Sequence, residues 1–231
     1  MNRIIILSLM LFAGSFFLTY SQVQVISPEL QRFYNDFENL QKFNETAEVD
    51  YDGSPYLNKE FVSGKIILAN GMEYKNIMLR YNIYNDEFEF SNKNKVLALK
   101  KDPQFSAFVI GEKEFCYKKF LLKERPKESY LLKIIGGEFS LYLKYNIVLR
   151  EEEEPKPFQE ARKPNFVLQN PYFLIGSEEK GIVVIKNLKD FYKSYPDIED
   201  LVRDFAGQEK LKLKSERDYI KLVSYLNSKS G

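Results

Sequence analysis

After the turn cluster Asp52-Gly53-Ser54-Pro55, apolar and polar residues alternate for about a hundred positions, the period of β-strands, whereas the flanking segments carry apolar residues at helical spacing. Gly64–Leu68 and Glu73–Tyr84 flank Asn70-Gly71, a dipeptide that tolerates the two positive φ angles of a tight hairpin turn. In the second of these strands Ile77, Leu79, Tyr81 and Ile83 share the face expected to be core, and Met78, Arg80, Asn82 and Tyr84 share the other. After Asn85-Asp86, the run Glu87-Phe88-Glu89-Phe90 predicts buried rings and solvated glutamates. Val96–Leu99, Phe105–Ile110, Phe115–Leu122, Tyr130–Ile135 and Glu138–Leu149 continue the pattern, with Gly136-Gly137 as a further turn, for about eight strands in all.

Ser27-Pro28 is a good helix start, as cap and first-turn residue, and Phe33, Tyr34, Phe37, Leu40 and Phe43 recur at helical spacing behind it. A last hairpin is expected from Tyr172–Ile175 and Ile182–Ile185. Three helices then follow: Lys189–Tyr195 capped by Asn187, one with the stripe Ile198, Leu201, Val202 and Phe205, and one with Tyr219, Leu222, Val223 and Leu226, opened by Ser215 and Asp218. The expected fold is α+β: an antiparallel β-meander, as a strongly curved sheet or partial barrel, followed by C-terminal helices that pack on it.

Residues 1–21 have the form of a cleavable secretory signal, with Arg3 before the apolar run Ile4–Leu18 and the small residues Thr19 and Ser21 before Gln22. The run is short for a permanent membrane span. The expected organisation is a signal peptide at 1–21, an N-terminal segment with a short helix at 22–49, the meander at 50–150, an acidic, proline-containing linker at 151–165 and a hairpin with helices at 166–231. The linker rests on Glu151–Glu154 followed by Pro155, Pro157 and Pro164, since adjacent carboxylates resist burial and proline disfavours helix and ladder alike. Export to the periplasm is the leading expectation, with an extracellular destination as the alternative.

The net charge of +1 falls to zero once Arg3 leaves with the signal, which argues against nucleic acid as a partner. Histidine is absent from the sequence, so imidazole-dependent triads and the usual zinc and copper sites are excluded. Cys116 is the single cysteine; it cannot form an internal disulfide, and its strand position suits a small buried apolar residue. No cofactor and no metal are expected.

The segments Tyr51-Asp52-Gly53-Ser54-Pro55-Tyr56-Leu57-Asn58 and Leu79 to Phe90 resemble a pattern found in uncharacterised exported proteins of Gram-negative bacteria. The likeness covers roughly residues 50–150 and implies export without implying an activity. Tyr81, Asn82, Tyr84, Asn85 and Asp86 form the candidate binding site, because aromatic rings beside amides can stack on sugars or grip an extended peptide. The same residue types are also ordinary strand and turn formers. The leading expectation is therefore a non-catalytic envelope protein that binds a protein, peptide or glycan. Two alternatives stay open: a carrier of lipid or another hydrophobic ligand in a β cavity, and a hydrolase using carboxylates among Asp50, Asp52, Asp86 and Glu87.

Overall fold

A computed structural model describes residues 28–43, 51–92, 95–151 and 163–229; the expected signal peptide, Asp50 and most of the acidic linker lie outside the described residues. Helix α1 (Pro28–Asp36) starts at the proline, whose preset φ suits a first turn. It ends before the apolar stripe does. A 3-10 turn spans Glu38–Leu40 and β1 (Gln41–Phe43) joins the sheet, because Asn and aromatic residues hold a helix weakly while a ladder to a neighbouring strand satisfies the same backbone.

The strands that follow are β2 (Asp52–Gly53), β3 (Val62–Leu68), β4 (Glu73–Asn82), β5 (Glu87–Asn92), β6 (Lys95–Leu99), β7 (Phe105–Ile110), β8 (Lys113–Leu122), β9 (Arg125–Ile135), β10 (Ser140–Arg150), β11 (Asn165–Ser177) and β12 (Gly181–Val184). Helices α2 (Leu188–Ser194), α3 (Glu199–Glu209) and α4 (Glu216–Lys229) complete the α+β architecture. The sheet runs β1-β6-β5-β4-β3-β7-β8-β12-β11-β10-β9, and β8 also pairs with β9. Strands β8 to β12 thus form a ring, sealed between β8 and β12 by a parallel contact at the register pair Leu121–Val183. That contact, and a second parallel one between β2 and β11, depart from the expected all-antiparallel meander.

Three packed clusters follow from the alternation. On one face of β3–β8, Ile77, Leu79, Tyr81, Phe88 and Phe108 form the largest, and α1 covers it by setting Phe33 edge-on to Tyr74 and Phe90 at 5.2 and 5.3 Å between ring centres. Inside the ring Phe120, Leu131, Tyr142 and Leu174 meet. Outside it Leu141, Ile175 and Ile185 are covered by Phe191, Val202, Leu222 and Val223 from the three last helices. In α3 the buried stripe runs through Val202 and Ala206, so Leu201, expected on the core face, lies exposed.

Local detail corrects two turn and strand expectations. At Asn70-Gly71 only Gly71 takes a positive φ, 84°, while Asn70 accepts a hydrogen bond from the Met72 N–H at 3.0 Å, so the turn is one residue longer than a two-residue hairpin. Strand β11 begins far earlier than Tyr172 and runs through Pro171. The proline is tolerated because pairing with β10 shifts register there, Lys144 facing Tyr172 and Asn146 facing Gln169, and a bulge needs no ladder hydrogen bond from the extra residue.

Candidate functional site

The candidate site residues all sit at the β4–β5 turn, but the turn splits them between interior and surface. Tyr81 is 1% exposed, stacked on Phe88 at 4.9 Å, and Asn82 is buried as well. Neither can touch a partner; this corrects the expectation that they form part of a recognition surface. Their burial has a cause in the ladder: Tyr81 shares the core face of β4, and Asn82 is enclosed on the opposite side by Glu89, to whose Oε1 its Nδ2 donates at 3.1 Å. The Asn82 Oδ1 also accepts from the Asn85 N–H at 3.0 Å, so Asn82 shapes the turn from within.

Asp86 is the hub of this turn. Its Oδ1 accepts from the Tyr81 hydroxyl at 2.7 Å, the Ser129 hydroxyl at 2.8 Å and the Tyr130 N–H at 3.1 Å, and its Oδ2 pairs with Lys101 Nζ at 2.7 Å. The residue adopts φ 55°, which Asp supports better than most side chains. Burial, and then the Asp86 charge, push the Tyr81 phenol well above its ordinary value, and the same causes raise that of Tyr130. Beneath the Lys101 ammonium lie the rings of Tyr117 and Tyr130, at 5.2 and 5.9 Å. An acid so fully engaged ties β4–β5 to β9, which is structural work.

A second polar centre escaped the sequence reading. Glu89, expected to be solvated, is 0% exposed and is held by the Arg80 guanidinium, Nη2 at 2.5 Å and Nε at 3.1 Å from Oε2. Arg80 also lies 3.7 Å over the Tyr56 ring and 4.3 Å over Phe61. The backbone of residues 55–57 runs beside the end of β4, with Ile83 N–H donating to Pro55 O at 2.8 Å and Leu57 N–H to Tyr81 O at 3.0 Å. The segments 51–58 and 79–90 thus pack together, and the second face of β4 is covered at Arg80 and Asn82 while Met78 on the same face stays exposed.

What remains exposed is Tyr84, 46% open, with Asn85 beside it. The Phe166 ring of β11 lies 5.2 Å from that of Tyr84 and 5.0 Å from that of Tyr51. Three separate stretches of backbone therefore present one aromatic surface. Gly53 makes that convergence possible: β2 approaches β11 so closely that a Cβ at φ 76° would collide with the Phe166 carbonyl. Tyr51 and Phe166 were not picked out in the sequence, since 115 residues separate them and only the β2–β11 pairing unites them.

Asp52 lies in β2, exposed, and Glu87 begins β5. Among the described residues no group of three acidic or thiol side chains is placed to hold a metal ion. Cys116 is buried, and burial followed by the Glu114 charge raises its thiol, opposite to what a nucleophile needs. Phe120, Leu131, Tyr142 and Leu174 pack together on one face of β8–β11. No helix among the described residues is long and apolar enough to cross a membrane. Compared with protein-family models, curated proteins and solved structures, the chain matches none of them.

Proposed function

We propose that the protein is an exported, non-catalytic binding module of the cell envelope that grips a protein, peptide or glycan with the Tyr84, Phe166 and Tyr51 rings and the adjacent Asn85 amide. The observation that supports this reading is the aromatic surface itself, three rings held 5.0 and 5.2 Å apart by a turn whose other polar groups are fully engaged. Rings fixed in advance lose little entropy on binding and combine apolar area with a polar tip. Export is supported by the leader at residues 1–21, and its test is the N-terminus of protein recovered from the periplasmic fraction: a start at Gln22 is expected, an intact Met1 refutes it.

The binding face is tested by pulldown from envelope extract with the wild-type protein, Tyr84→Ala and Phe166→Ala. Loss of the same partner from both variants, with thermal unfolding of Tyr84→Ala unchanged, is the expected result. An identical partner set in all three samples removes this surface from consideration.

A further inference from the structure

Strand β11 has two edges, and the second is only partly used. Strand β10 pairs along one edge, while the other carries β2 at Asn165 and Phe166 and β12 from Leu174 to Ser177. Between these, residues 167–172 have no strand beside them on that side among the described residues. At the rise of a strand, this open lane is roughly 20 Å long.

Hydrogen bonds at its two ends fix which backbone groups point into the lane. The Asp52 N–H donates to the Pro164 carbonyl at 2.9 Å, so the backbone of Pro164 faces β2, and by alternation that of Phe166 and Leu168 faces the same side. Val167 faces β10 instead, opposite Val148. Strand β2 ends at Gly53, opposite Phe166, and the chain leaves for the end of β4, where the Pro55 carbonyl accepts from the Ile83 N–H. The Leu168 N–H and C=O therefore project into the lane with no described strand to meet them. The lane closes at Phe173, whose carbonyl accepts from the Ile185 N–H at 3.0 Å. An open N–H and C=O on a strand edge form a template for one more strand.

The same register sets side chains beside the lane. Leu168 shares the face of Phe166, two residues away, and is 63% exposed, while the rings of Tyr51 and Tyr84 contact that of Phe166. A strand laid in the lane would turn every second side chain toward Leu168 and Phe166. A glycan could stack on the rings but has no amide ladder to offer Leu168.

We propose that the partner of this surface is an extended peptide segment that adds to β11 as a further strand. It exchanges hydrogen bonds with the Leu168 N–H and C=O and sets apolar side chains at alternate positions against Leu168, Phe166 and Tyr84. The inference rests on the reading of the Tyr51, Phe166 and Tyr84 rings as the binding face, and narrows its partner to one class. Main-chain bonds supply affinity in such a pairing, and the alternate side chains supply choice.

The first test is hydrogen exchange, read by NMR on the free protein. The Leu168 amide is expected to exchange about tenfold or more faster than that of Val167; equal protection would show the lane already filled and overturn the proposal. A phage-displayed library of random linear heptapeptides is then selected on the immobilised protein. Peptides with apolar residues at alternate positions are expected, with the Leu168 amide protected in their complexes and chitotetraose unable to compete. Methylating the peptide nitrogens that face β11 weakens binding by about tenfold or more, and so does Leu168→Pro, which removes an N–H that β10 does not use and leaves thermal unfolding near the wild type. No enriched peptide, displacement by chitotetraose, or undiminished binding both of methylated peptides and by Leu168→Pro would each overturn the proposal. Failure of the ring surface reads differently: if Tyr84→Ala and Phe166→Ala lose the envelope partner and Leu168→Pro keeps it, the added strand is refuted and the rings stand, whereas a partner kept by all three variants refutes both.

Discussion

Asn227 on α4 bonds both backbone groups of Phe139: its Oδ1 accepts from the Phe139 N–H at 2.8 Å and its Nδ2 donates to the Phe139 carbonyl at 2.9 Å. One amide side chain thereby takes the place of a ladder neighbour and fastens the last helix to the β9–β10 turn. Gly137 leaves room for it, since a Cβ there would lie 2.7 Å from Asn227 Nδ2. Asn227→Asp keeps the shape but replaces the donor with an acceptor facing a carbonyl. That variant and Asn227→Ala are each expected to lose about 1–3 kcal/mol, read as a lower urea midpoint with unchanged slope. A loss below about 0.5 kcal/mol would show that water replaces the amide without penalty.

Asp86→Asn and Asp86→Ala should separate geometry from charge. Asn supports the positive φ and keeps one oxygen for Tyr81, Ser129 and the Tyr130 N–H, losing chiefly the pair with Lys101. Ala loses every acceptor and strains the turn. Thermal unfolding is expected to show a small decrease for Asn and a decrease on the order of 3 kcal/mol for Ala. Equal decreases would mean that the charge, and not the acceptor geometry, holds the turn.

Removing one member of the Arg80–Glu89 pair leaves a charge stranded under the roof of residues 55–61. Arg80→Met is expected to cost about 3–5 kcal/mol, whereas the double change Arg80→Met/Glu89→Leu is expected to recover most of the loss, because burying a matched ion pair has little net advantage over apolar packing. Denaturant unfolding of the two single variants and the double variant forms the cycle. Additive losses would contradict a direct coupling.

Stability should fall in alkali. Burial is the leading cause that raises the phenols of Tyr81, Tyr130 and Tyr219, and it pushes that of Tyr195 up to about 12. In the unfolded chain a phenol ionises near pH 10, so above that value the unfolded state gives up protons that the folded state still holds. The contribution is therefore fully present below about pH 10 and is lost as pH rises through the folded-state values. The urea midpoint is expected to be flat on this account up to about pH 10 and to decline beyond it, with unfolding and phenolate absorbance appearing together. Phenolate absorbance complete at pH 10 in a still folded protein would contradict the burial of these rings.

The helices and strands were legible where the signal is local. Asn187 caps α2, accepting from the Asp190 N–H at 3.0 Å, and Tyr219, Leu222, Val223 and Leu226 are all buried in α4, because a cap and a 3.6-residue stripe are properties of adjacent residues. The candidate site was legible only in part. Tyr84 and Asn85 are exposed as a turn implies, but Tyr81 and Asn82, the last two residues of β4, lie inside.

Alternation by itself determined which face of β4 carries Ile77, Leu79 and Tyr81, and so determined an α+β molecule with a curved sheet. It could not say what lies over the opposite face. Only the tertiary structure decided that residues 55–61 roof Glu89, that Ser129 and Tyr130 come to Asp86, and that β2 carries Tyr51 to Phe166. The reason is physical: side-chain facing repeats every two residues along one strand, whereas a buried charge or an aromatic surface depends on which distant strands lie side by side, and sheet order is set by the packing of the whole chain.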